Sequence, residues 1–197
     1  MNNIRIIGAG GHGKVVADTA EACGYEEICF LDQSWPERNS NGRWKIVGQP
    51  NDIGRQNFCA VGNNATRALL FKELDLHDSP ILAHPSTVRS PSCQLGAGTF
   101  LAAGVIVNAD VRIGSGVILN TGCSIDHDCV LGDFVHISPG ARLAGNVTIG
   151  ALSWIGIGAV VREGVTIGKD VIVAAGAAVI DDIPDGACVG GVPAKRI

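Results

Sequence analysis

From Leu95 to Val179 the chain can be stepped through six residues at a time, and every landing is Leu, Ile or Val. Two residues before each landing stands a small or β-branched residue, from Cys93 and Thr99 through to Val171 and Ala177. Alternation of period two turns both of these positions inward on a short strand and leaves the residue between them outside. A spacing of six would spiral around a 3.6-residue helix, so a helical stripe is excluded. The pattern predicts a parallel β-solenoid whose coils stack at the strand spacing of ~4.8 Å. Gly96, Gly114, Gly132, Gly150 and Gly168 recur every 18 residues, which makes each coil three hexads. The result is a triangular prism of about five coils, with these glycines along one corner and supplying its turns. Cys93, Cys123 and Cys129 fall in the small inward slot and read as core filler.

The first eighty residues follow a different pattern. Ile4-Arg5-Ile6-Ile7 reads as a buried strand, running into Gly8-Ala9-Gly10-Gly11-His12-Gly13. A helix follows from Lys14 to Cys23, ended by Gly24, and then a second strand, Glu27 to Leu31, with Asp32 at its carboxyl end. Strand, Gly-x-Gly-x-x-Gly, helix, strand and acid is the Rossmann fingerprint, in which glycines admit phosphate and the helix start favours negative charge. Only one βαβ half and a short strand around Cys59 to Gly62 fit before the solenoid. That is room for a mononucleotide or its sugar conjugate rather than NAD, and a purely structural turn is the alternative. Ser34 to Asn51 is polar and reads as a loop, with Trp35 and Trp44 as lid or packing residues, and Ala65 to Leu74 reads as a helix. The expected fold is thus an α/β half-Rossmann-like domain, 1–80, followed by a β-helix with a C-terminal cap, 81–197.

Composition narrows the function. Hydrophobic residues are 46% and charged residues 17%, which excludes a disordered chain. A net charge of −4 argues against a nucleic-acid surface. No apolar run reaches the ~18 residues of a membrane helix, and the start lacks a secretory leader. Seven cysteines with no Cys-x-x-Cys pair fit a reducing cytoplasm.

The repeat's polar exceptions are the candidates for chemistry. His127 sits on a corner between Asp126 and Asp128, where a neighbouring carboxylate can orient the imidazole and raise its basicity. A solvated surface cluster is the plain alternative. His136 lies between inward-facing Val135 and Ile137, so it is expected to point out from a flat face into solvent. A shared zinc site is a competitor, but His127 and His136 lie half a coil apart and one subunit cannot bring both to one ion. No metal is expected. Asn120, Ser138, Gly156 and Ala174 stack at 18-residue spacing, with Ile157 and Ala175 beside them. Such a ridge of small residues admits a long narrow ligand of coenzyme A's shape, or is simply structural.

Taken together, the glycine loop, Phe30-Leu31-Asp32, Gly62-Asn63-Asn64, His84-Pro85-Ser86, Ile125-Asp126-His127-Asp128-Cys129 and Gly190-Gly191-Val192-Pro193-Ala194-Lys195 resemble one family over the whole chain. It is the hexapeptide-repeat, sialic-acid O-acetyltransferase-like family, and within it the bacterial UDP-4-amino-sugar N-acetyltransferases of the bacillosamine pathway. The resemblance implies left-handed coils and a homotrimer with active sites between adjacent prisms. It implies transfer of acetyl from acetyl-CoA to the C4 amine of UDP-4-amino-4,6-dideoxy-N-acetylglucosamine. The general base falls on His127, supported by Asp128 where Glu is usual. Nucleotide-sugar contacts fall on Gly10, Gly11, His12, Asp32 and Gln33, the last standing where the relatives carry a second Asp, and a family asparagine falls on Asn120. Acetyl-CoA contacts fall on His136, Ile157 and Ala175, with a backbone N–H near Gly145 for the oxyanion. Two other functions stay open: the same fold acting on a sialic-acid hydroxyl or another nucleotide amino sugar, and a non-catalytic nucleotide-binding solenoid.

Overall fold

The computed structural model describes residues 2–197. An α/β layer comes first and a parallel β-helix follows, as the two periodicities predict. In the layer, β1 (Asn3–Ile7), α1 (Gly11–Ala22), β2 (Glu27–Leu31), β3 (Ser40–Asn41), β4 (Trp44–Gly48), β5 (Asn57–Cys59) and α2 (Asn64–Glu73) succeed one another. The sheet order is β3-β4-β2-β1-β5, with β1 parallel to both β2 and β5 and β2 parallel to β4. The stretch from Ser34 to Asn51 is therefore not a plain loop. It holds the β3–β4 hairpin, whose Ile46 is buried and whose Trp44 meets Phe30 edge to face at 6.2 Å. Its alternation lasts only from Trp44 to Gly48, too short to stand out among polar neighbours. The helix after the glycine loop starts at Gly11, three residues earlier than expected, so His12 and Gly13 lie in its first turn. The strand expected around Cys59 to Gly62 lies at Asn57–Cys59, and the second helix runs from Asn64 rather than Ala65.

The solenoid ladder begins at Leu82–Ala83 and has three faces. The first carries Phe100–Leu101, Ile118–Leu119, His136–Ile137, Trp154–Ile155 and Ile172–Val173, and ends on Cys188–Gly190 with an antiparallel Lys195–Arg196. The second includes Ser124–Ile125 and Arg142–Leu143, and the third Val130–Leu131 and Thr148–Ile149. Parallel partners lie 18 residues away along the ladder up to Ile172–Val173, and the last pairing, with Cys188–Val189, closes to 16. Val135 and Ile137 are fully buried, and every inward position from Thr99 to Val179 is buried with them. Cys123 and Cys129 are buried core residues, the Cys123 thiol pushed up to about 12 by burial, whereas Cys93 in the opening coil is half-buried.

The column at Gly96, Gly114, Gly132, Gly150 and Gly168 has a different purpose from the one expected. These residues do not have positive φ. An added Cβ would lie only 2.3 to 2.6 Å from atoms of the next coil, so glycine here permits close stacking. The chain turns two residues later, where Gly98, Gly116, Phe134, Leu152 and Asp170 all have positive φ. Phe134 and Leu152 hold a conformation that bulky side chains rarely adopt.

The α/β layer packs on the first face of the prism. Outward-pointing Phe100 and Ile118 are buried beneath it, while Trp154 and Ile172, farther along the same face, are exposed. The contact is fastened by α2. Arg67 Nε donates to the Gly116 carbonyl at 2.7 Å, Nη2 donates to the Phe134 carbonyl at 2.8 Å, and Nη1 donates to the Val61 and Gly62 carbonyls. Nη2 also donates to Asn64 Oδ1, whose own amide donates to the Leu152 and Ser153 carbonyls. Arg67 is thus buried with all its hydrogen bonds going to neutral acceptors; burial lowers it to about 10, still charged at neutral pH. Its acceptors include the Phe134 carbonyl, and Asn64, which it holds, donates to that of Leu152, so the pair that docks the layer also supports the two bulky positive-φ corners.

Candidate active site

The glycine loop separates its glycines by purpose. Gly8 has φ +101°, and a Cβ on Gly13 would sit 2.3 Å from the Gly8 carbonyl, so the fold itself requires both. A Cβ on Gly10 or Gly11 would meet nothing within 4 Å. Open space therefore lies over these two residues at the start of α1, where the first-turn N–H groups lack helical acceptors and favour an anion.

Asp32 borders this space, but its carboxylate is engaged. Oδ2 accepts the Ala9 N–H at 2.7 Å, and Oδ1 accepts the Ser34 N–H and hydroxyl at 3.0 and 2.7 Å. Partial burial opposes ionisation, yet these bonds and nearby Arg38 outweigh it and hold the carboxyl below its usual range. Asp32 here shapes the loop, while neighbouring Gln33 is exposed.

His12 and His136 meet where the layer covers the prism. The His12 ring packs edge-on against Phe100 at 5.3 Å and lies 6.3 Å from the His136 ring. His136 does leave the prism outward, as its parity requires, but it is 6% exposed because the α/β layer lies over it. The expectation of a solvent-facing side chain is thus overturned by domain packing, which strand alternation cannot register. Burial, reinforced by Arg67, lowers His12 to about 4; burial, Arg67 and His12 lower His136 to about 3. Both rings are neutral at pH 7. Asn120 Nδ2 donates to His136 Nε2 at 3.2 Å, which leaves the proton on His136 Nδ1.

From His136 a groove of about 590 Å³ runs along the first face, bounded by Asn120, Ser138, Trp154, Gly156, Ile157 and Ala175. It contains the ridge read from the 18-residue spacing. Trp154 stacks on His136 at 4.7 Å and donates from Nε1 to Ser138 Oγ at 2.7 Å, making a flat aromatic wall.

His127 lies at the corner between the second and third faces, away from the first face that carries this groove. Its imidazole is exposed, and Nδ1 is 2.8 Å from Asp128 Oδ2. Nδ1–H donates to the carboxylate, which leaves Nε2 as a free acceptor. That hydrogen bond, with the charges of Asp126 and Asp128, raises the imidazole above its ordinary value. Gly145 lies directly against the ring, and a Cβ there would be 2.5 Å from His127 Cε1. Its contribution visible here is room for the imidazole.

Comparisons with known proteins agree along the chain. The PglD N-terminal domain family matches residues 3–74, and the bacterial transferase hexapeptide family (six repeats) matches 146–181. The acetyltransferase domain of PglB from Neisseria gonorrhoeae FA1090, solved with acetyl coenzyme A, is 42% identical with a TM-score of 0.95, covering 100% of this chain and 99% of that one. PerB from Caulobacter crescentus, solved with CoA and GDP-perosamine, is 39% identical with a TM-score of 0.92, covering 100% and 98%. The chain belongs to the hexapeptide-repeat acetyltransferase family. A curated member, the UDP-N-acetylbacillosamine N-acetyltransferase of Bacillus subtilis (strain 168), is 38% identical over 114 residues. That alignment spans 52% of this chain and 52% of the curated relative.

Within this family architecture, one chain brings His12, Asn120, His136, Ile157 and Ala175 to one side, near Gly10 and Gly11, and leaves His127, Asp128 and Gly145 at another corner. Among the described residues no group of three or more His, Cys, Asp or Glu side chains could hold a metal ion. Sequence reasoning missed Trp154 and Arg67. For Trp154 a signal existed: Phe100, Ile118, His136, Trp154 and Ile172 are outward positions 18 apart, and mostly apolar. For Arg67 there was none, since its acceptors are backbone carbonyls that carry no sequence signature.

Proposed function

We propose that this protein transfers acetyl from acetyl-CoA to the C4 amine of UDP-4-amino-4,6-dideoxy-N-acetylglucosamine, giving UDP-N,N′-diacetylbacillosamine for glycan assembly in the cytoplasm. The observation that carries it is the exposed His127–Asp128 pair, with Nε2 free and glycine beneath the ring. The amine attacks the thioester carbon while His127 Nε2 takes its proton, and an N–H donor holds the oxyanion. The C–S bond then breaks, and the imidazolium returns the proton to the CoA thiolate. No cysteine nucleophile is needed.

The open space over Gly10 and Gly11 accepts the diphosphate, with His12 and Gln33 at its border, and the groove from His136 to Ala175 accepts CoA. The base lies away from both, so a homotrimer in which a neighbour's His127 corner faces this groove completes each site. Full-length likeness to proteins solved with acetyl-CoA, or with CoA and GDP-perosamine, supports the co-substrate and the nucleotide-amino-sugar class. The test is thiol release from acetyl-CoA across UDP- and GDP-linked 4-amino sugars. A higher kcat/KM with a GDP sugar would replace uridine by guanosine in this assignment. No turnover with any amine acceptor would leave a non-catalytic solenoid.

A further inference from the structure

We propose that Asn108, one coil before the base, is a positioning residue for His127 and acts through Asp126. This rests on the assignment of His127 as general base. Asn108 and Asp126 occupy the same corner column, 18 residues apart. Asn108 Nδ2 donates to Asp126 Oδ1 at 2.8 Å, and that same oxygen accepts the backbone N–H of His127 at 2.8 Å. The two acids flanking the base therefore have different tasks. Asp128 holds the ring, and Asp126 holds the main chain from which the ring projects.

The backbone alone grips this corner from both sides. Asp128 N–H donates to the Ala109 carbonyl of the coil before, and Asn146 N–H donates to the His127 carbonyl from the coil after. Those bonds fix the height of the corner, whereas the Asn108–Asp126 bond is the side-chain contact that holds a carboxylate against the His127 N–H. Asn108 suits this task because its amide donates without adding charge. The Asn108 hydrogen bond, then the His127 N–H, keep Asp126 below the usual carboxylate range, so its negative charge stays beside the imidazole. The charged groups around His127 are Asp126 and Asp128 on its own corner and Asp110 at the matching place one coil before; the coil after presents Gly145 and Asn146. A fourth carboxylate at position 108 would repel Asp126 and favour the protonated imidazole.

The test uses the full chain with acetyl-CoA and the acceptor that gives turnover. Asn108→Leu removes the donor at similar volume. It should lower kcat about 3- to 10-fold, below the ~10²-fold minimum usual for losing a base outright, with KM for both substrates within about twofold. In an Asp126→Ala background the same change should cost nothing further, because the link is already gone. Asn108→Asp should move the acid limb of the kcat/KM profile to higher pH, and Asp126→Asn should move it to lower pH. An unchanged kcat in Asn108→Leu, a loss confined to KM, or a loss that persists in the Asp126→Ala background would overturn the proposal. If Asn108→Leu does not fold, the isosteric Asn108→Asp decides alone: an unmoved acid limb refutes the role. Retention of activity by His127→Ala would instead remove the base assignment itself, so the two failures are distinguishable.

Discussion

At the scale of single residues, the site is a histidine whose two nitrogens have been assigned different partners. Asp128 occupies Nδ1 and leaves Nε2 open, which is where the proposed mechanism puts the amine. His127→Ala should lower turnover by ~10²–10⁴-fold, the usual range for removing a general base. The melting temperature should stay close to wild type, because no inward position is touched. A general base at His127 works only when neutral, so activity should rise with pH through its pKa, which stands above the ordinary 6.5. Asp128→Asn removes the first cause of that elevation and should shift the acid limb of the rate profile to lower pH, with kcat reduced less than in His127→Ala. A pH-rate series on both variants checks the pair. A limb unmoved by Asp128→Asn would show that some other group titrates.

At the scale of elements, one loop serves two purposes that its sequence runs together. Gly13→Ala would press a methyl against the Gly8 carbonyl and should destabilise the α/β layer visibly in thermal unfolding. Gly11→Ala meets only open space, so it should fold normally while UDP binding measured by calorimetry weakens severalfold. Equal behaviour of the two would remove the ligand from this loop. Arg67 ties α2 to the prism across the corner carbonyls of Gly116 and Phe134. Arg67→Ala strands several buried acceptors, each worth ~1–3 kcal/mol, and should cost more than about 3 kcal/mol in urea unfolding. It should also expose His136 to solvent and raise its pKa toward the ordinary histidine value.

At the scale of the whole molecule, two buried neutral histidines make the junction acid-sensitive. His12 and His136 titrate near 4 and 3 when folded, against about 6.5 unfolded. Below pH 6.5 the unfolded chain gains protons that the folded rings refuse. Their contribution is complete above that pH and is lost as pH falls toward 4 and then 3. Urea unfolding at pH 7 and 4.5 should show this loss, and His136→Phe, which keeps an aromatic ring against Trp154, should reduce it. Assembly is the second expectation at this scale. Because base and groove face different ways in one chain, sedimentation should give a species three times 20.3 kDa, and a fully active monomer would defeat the shared site.

The solenoid was legible because its determinant is local and repeated: inward Leu, Ile or Val every sixth residue and a glycine column every eighteenth. The glycine loop and the His127 corner were legible for the same reason, since each is a short contiguous motif. The hairpin at Ser40–Gly48 was not, because strands of two and five residues leave too brief an alternation among polar neighbours. Nor was the true turn position, which Phe134 and Leu152 share with glycines despite having side chains. The sequence by itself determined the prism, its periodicity and the residues available for chemistry. Tertiary structure alone decided that His136 is covered and that Arg67 fastens the two parts. Those outcomes depend on which face of a finished prism receives the α/β layer, and neither a period of six nor a period of two encodes a contact between separate elements.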